Sequence, residues 1–162
     1  MKNLAIACAL ALALAAGAAA PARAQSYYQK ESTLYAEFFG WGGEASANFE
    51  KLIDGKIGVR AGIGFTGVVF AKGLVVPFGV STLLGKGRNH LELGVGGAYI
   101  DIDENDLEDR FLDVQEDQVA VTALVGYRFI GDYGFSYRLG FTPAWTKDGF
   151  QPMGGAAFGY SF

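Results

Sequence analysis

Apolar residues recur at every second position along most of this chain. Between Gln118 and Ile130, one face carries Val119, Val121, Ala123, Val125, Tyr127 and Phe129, and the other carries Gln118, Thr122, Gly126 and Arg128. Phe135, Tyr137, Leu139 and Phe141 likewise oppose Ser136, Arg138, Gly140 and Thr142. Ile57 to Phe65 and Leu91 to Tyr99 repeat the pattern, with Gly58, Arg60, Gly62, Gly64, Glu92, Gly94 and Gly96 on the second face. A period of two belongs to strands. Eight are predicted, at Thr33–Trp41, Glu44–Leu52, Lys56–Phe70, Leu74–Leu84, His90–Ile102, Gln118–Ile130, Gly134–Ala144 and Gln151–Phe162. Gly42-Gly43, Asp54-Gly55, Gly85-Lys86-Gly87, Gly131-Asp132 and Asp148-Gly149 supply turn chemistry between them.

The second face decides between two all-β architectures. In a water-soluble sandwich it would carry long polar side chains. Here it is mostly glycine, which weakens an exposed strand without return. Inside a narrow barrel, glycine makes room for a few large polar side chains. The pattern therefore predicts an eight-stranded antiparallel up-and-down transmembrane β-barrel, with its bulky apolar face turned to lipid.

The amino terminus agrees with export. Lys2 precedes an apolar stretch from Leu4 to Ala20, and Ala22-Arg23-Ala24 forms an A-x-A cleavage site. Residues 1–24 are read as a removed signal peptide and 25–162 as the barrel domain. Cys8, the only cysteine, leaves with the leader, so no disulfide is expected. Beyond the leader no apolar run approaches the ~20 residues of a membrane helix. The remaining chain has 11 Lys+Arg against 17 Asp+Glu, a net charge of −6, which argues against a nucleic-acid partner.

Barrel parity sets orientation. Both termini belong on the periplasmic side, with tight turns there and longer links outside. The long link Asp103–Asp117 is then external. Tyr127, Phe129, Phe135, Tyr137, Tyr160 and Phe162 mark the periplasmic rim, and Trp41, Tyr99 and Trp145 the outer rim. Pro77, in mid-strand, is expected to force a bulge.

Parity also turns Glu37, Glu50, Glu92, Arg60, Arg128 and Arg138 into the lumen, together with Asn48 and Ser136. Three carboxylates meet three guanidiniums, as a buried, neutral network requires. On this reading Arg128→Ala costs about 3 kcal/mol, and a change at the exposed loop residue Glu108 costs almost nothing. Asp101, Asp103 and Asn105 begin like a calcium loop, but Asp106 stands where glycine is needed and Leu112 where glutamate is needed. That site is at best a weak divalent-cation candidate in a solvated acidic loop. His90, the only histidine, has no evident nucleophile or orienting acid beside it, so no catalytic residue, cofactor or enzymatic activity is expected.

Several stretches carry a resemblance: Gly85-Lys86-Gly87-Arg88-Asn89-His90-Leu91-Glu92-Leu93-Gly94, Gly126-Tyr127-Arg128-Phe129, Arg138-Leu139-Gly140-Phe141-Thr142-Pro143 and Gly159-Tyr160-Ser161-Phe162. Together with Tyr35-Ala36-Glu37 and Asn48-Phe49-Glu50, they resemble a largely uncharacterised family of small bacterial outer-membrane β-barrel proteins, like the OmpA/OmpX-type eight-stranded barrels. The resemblance implies the bacterial outer membrane as location and outer-membrane lipids as partner. It also implies that Phe158, Tyr160 and Phe162 form the signal read by the barrel-insertion machinery. A monomeric structural or surface-interaction protein with a plugged lumen is the leading expectation. A narrow channel for small solutes or ions, and a lipid-modifying enzyme using His90, are the alternatives.

Overall fold

The structure, a computed structural model, describes residues 30–66, 73–102, 118–147 and 149–162. The expected signal peptide, positions 67–70 of the third predicted strand, Asp103, Asn105 and Glu108 lie outside these residues.

The strands are β1 (Ser32–Gly40), β2 (Gly43–Ile53), β3 (Ile57–Thr66), β4 (Gly73–Lys86), β5 (Asn89–Ile102), β6 (Gln118–Ile130), β7 (Phe135–Phe141), β8 (Ala144–Thr146), β9 (Gly149–Gln151) and β10 (Gly154–Ser161). Each pairs antiparallel with its neighbours, and β10 returns to β1, so the sheet closes on itself. At the seam, the Ser32 and Phe162 backbones exchange hydrogen bonds of 2.9 and 2.8 Å.

Ten segments make eight strands, because proline causes both interruptions. β7 and β8 run against β6 in one register: Val125 faces Phe141, and Thr122 faces Ala144. The same holds where β7 and β8 meet β10 and β9. The breaks fall at Pro143 and Pro152, which that register sets opposite one another. Neither has an N–H to give to a ladder.

Pro77 behaves similarly, and here the expected bulge is not found. Ala61–Phe78 on one side and Gly64–Val75 on the other share one register, so no residue is inserted. Pairing with β5 runs unbroken through Pro77–Ala98. The missing donor thus falls on the β3 side, opposite Gly62, and the chain tolerates two unassigned pairs rather than shifting every side chain to the other face.

Burial is inverted relative to a water-soluble protein. Val119, Val95 and Val121 are 62%, 61% and 60% exposed, while Glu50 and Glu92 are fully buried. Tyr127, Phe129, Phe135 and Tyr137 form a continuous outward aromatic cluster, with Tyr137 at 5.3–6.1 Å from the other three rings. Trp145 and Phe150 pair outward at the opposite end, at 5.2 Å.

Candidate functional site in the barrel lumen

The lumen is built from the inward residue of each strand pair. β1 contributes Thr33, Tyr35 and Glu37, β2 contributes Glu44, Ser46, Asn48, Glu50 and Leu52, and β3 contributes Arg60, all buried. Ser81, Leu83, Glu92, Leu124, Arg128, Ser136 and Arg138 complete it from β4 to β7.

Glycine fits these side chains in. A Cβ at Gly79 or Gly96 would overlap the Trp41 indole, and one at Gly62 would overlap Asn48. One at Gly140 would come within 2.7 Å of Leu124. The small second face of the alternation is therefore the floor under the large inward residues.

Six charges meet inside. Arg138 donates from Nη1 to Glu92 Oε1 at 3.1 Å and from Nη2 to Glu37 Oε1 at 3.0 Å. Arg128 donates to Glu50, and from Nη2 to Thr33 Oγ1 at 3.1 Å. Arg128 and Arg138 sit directly opposite each other on β6 and β7. Two like charges in that position repel, so the facing carboxylates are needed to hold both. A cavity of about 10 Å³, lined by Thr33, Tyr35, Arg128, Ser136 and Arg138 among others, remains beside them.

Arg60 is held differently. Its Nη1 donates to the Tyr35 hydroxyl at 3.1 Å, and Glu37 is an ion-pair neighbour at 3.6 Å. Its guanidinium lies 3.4 Å from the centroid of the Trp41 ring. Two guanidiniums thus supply the hydrogen bonds to all three carboxylates, while the third is stabilised by a phenol and by the face of an indole.

Trp41 corrects the sequence reading, which set it on the outer rim. It is 2% exposed and lies inside the barrel. It occupies the two-residue turn between Gly40 and Gly43, whose glycine neighbours let the chain fold the ring inward. Its Nε1 donates to the carbonyl of Ala123 at 3.0 Å. That carbonyl lacks a normal ladder partner. The Ala123 N–H donates to the carbonyl of Pro143, but Pro143 has no N–H to return. The indole takes the place of the missing donor.

Sequence reasoning also passed over Tyr35 and Glu44, both buried. Tyr35 stacks 4.7 Å from the Arg138 guanidinium, and Glu44 accepts from Thr66 Oγ1 at 3.4 Å. Strict parity from Glu37 would have found Tyr35, but the alternation breaks at Phe38 and Phe39, which are both exposed, before it reaches Trp41. Three inward glycines on β4 and β5 signalled that something bulky had to lie over them.

Phe158, Tyr160 and Phe162 all point outward and are exposed, with Tyr160 and Phe162 stacked at 6.5 Å. His90 is half-buried opposite Arg128, and its Nδ1 has no hydrogen-bond partner. Asp101 is half-buried on β5 opposite Leu74. Among the described residues no three His, Cys, Asp or Glu side chains gather as a metal site.

Among solved structures, the N-terminal β-barrel domain of Pseudomonas aeruginosa OprF superimposes with a TM-score of 0.62 at 12% identity, over 82% of this chain and 96% of that domain. The fold is that of the OprF N-terminal barrel. No sequence family and no curated protein matches the chain. At this identity the likeness to OprF covers the eight-stranded OmpA-like architecture and leaves the lumen to be read from its own residues.

Proposed function

We propose that this chain is a bacterial outer-membrane barrel whose lumen is plugged by its own side chains, with a structural or surface-interaction role. One observation carries the reading: three carboxylates and three guanidiniums compensate one another inside the wall, and Trp41 lies across the space beside them. Eight strands enclose room for side chains and little more. The OprF-like fold and the exposed apolar belt support the membrane setting.

Outer-membrane lipids cover that belt. Phe158, Tyr160 and Phe162 present the outward aromatic pattern that suits recognition by the barrel-insertion machinery. The acidic sequence 103–117 lies outside the described residues, and its carboxylate content suits an external surface that binds divalent cations weakly. The barrel acts as a monomer.

Planar-bilayer recording tests the plug. Purified protein is expected to give no stable single-channel conductance, and a robust, reproducible open level would refute it. Catalysis at His90 has its own test. Lipids extracted from cells expressing wild type and His90→Ala are expected to be identical, because no described group orients the imidazole. A product lost with the substitution would restore the enzyme reading.

A further inference from the structure

Trp41 is the bulkiest fully buried side chain among the described residues, and it lies along one row of the wall. Arg60, Gly79, Gly96, Thr122 and Ala144 face one another in turn across β3, β4, β5, β6 and β8. The indole stacks on Arg60 at 3.4 Å. A Cβ at Gly79 or Gly96 would meet its Cζ3 at 2.1 or 2.5 Å. From Gly79 to Ala144 the row holds nothing larger than Thr122, and the indole fills the space it leaves.

This seat has a cost. Arg60 Nε and Nη2 and Thr122 Oγ1, at two points of the same row, have no hydrogen-bond partner. The two residues are 3% and 2% exposed. Buried polar groups left unmet are costly, and native interiors satisfy nearly all of them. What holds the ring is one donation to the Ala123 carbonyl, the stack on Arg60 and its own apolar burial. Its mount is a two-residue turn between Gly40 and Gly43, with Gly42 following the tryptophan directly and Gly43 at a φ of 84°.

We infer that Trp41 is a lid over this row, carried in and out of the lumen by the β1–β2 turn. Each arrangement satisfies what the other leaves unmet. The closed one buries the indole and gives the Ala123 carbonyl its donor. The open one lets water reach Arg60, Thr122 and that carbonyl. The inference rests on the plugged-lumen reading and adds that one part of the plug moves. The hydrogen bonds of Arg128 and Arg138 to Glu37, Glu50 and Glu92 involve no atom of Trp41, so they persist beneath an open lid.

Cysteine accessibility in the folded, micelle-bound barrel tests the lid. Cys8 is the only cysteine in the sequence, so a Cys8→Ser background carries one introduced thiol at a time. Thr122→Cys places it in the row, and a small water-soluble methanethiosulfonate reads its exposure. The minor state of a two-state element is populated at roughly 0.1–10%, so native Trp41 is expected to slow the reaction about 10- to 1000-fold relative to Trp41→Ala. Lys56→Cys, on the exposed β2–β3 turn, is expected to react equally fast in both backgrounds. Equal rates at Thr122→Cys with and without the indole overturn the lid. So does a thiol beneath native Trp41 that stays unreacted for as long as the barrel stays folded, which would make the ring a fixed filler. That second measurement does not depend on Trp41→Ala folding. The conductance of the unmodified protein tests the plug separately, so a rigid plug and a failed plug give different results.

Discussion

Arg138→Ala is expected to be the most damaging single lumen substitution, at about 3–5 kcal/mol, the cost of leaving a buried charge without its partner. Arg138 donates to both Glu37 and Glu92, which are 2% and 0% exposed, so its loss leaves two carboxylates in need of a donor. It also removes the cation stacked on Tyr35. Arg128 donates to one carboxylate and one hydroxyl, so Arg128→Ala belongs at the lower end, about 3 kcal/mol. Lys56 is exposed on the β2–β3 turn, and Lys56→Ala is expected to stay within about 0.5 kcal/mol. Reversible urea unfolding from lipid vesicles measures all three on one scale. If Arg138→Ala matched Lys56→Ala, the lumen would not be the closed, low-dielectric space described.

The second large effect lies one residue from the lumen and on the other side of the wall. Val95 is at the middle of β5, 61% exposed, with Gly94 and Gly96 on either side facing inward. Against water, Val95→Arg would be nearly neutral, as most surface changes are. Against hydrocarbon, an arginine on the lipid face near the midplane costs about 2–4 kcal/mol. The same unfolding measurement is expected to show the larger value. A neutral result would mean that this face does not meet the bilayer.

Most of the wall was readable because barrel strands obey one rule at a time. A residue's parity decides its face, and Glu37, Glu50, Arg60, Glu92, Arg128 and Arg138 all occur at inward positions of uninterrupted alternation. Which of them pair was not readable, because ion pairs form across the lumen between strands far apart in sequence, such as β2 with β6. Trp41 was misplaced because an aromatic at a strand end resembles a girdle residue, and only the glycines opposite show that it folds inward. The prolines misled in a related way. A sequence shows the missing N–H but not which neighbouring strand lacks it, and at Pro77 that side, toward Gly62, determines that no bulge forms.

The Trp41–Ala123–Pro143 contact has a consequence for how this sequence can change over time. Position 143 creates an unmet carbonyl, and position 41, about a hundred residues earlier, supplies its donor. The two sites are therefore not free to drift separately. A relative with an ordinary N–H at 143 would recover the ladder bond there and relax one of the demands on tryptophan at 41, leaving the stack on Arg60 and the packing over Gly79 and Gly96. Across an alignment, loss of that proline and loss of that indole should travel together.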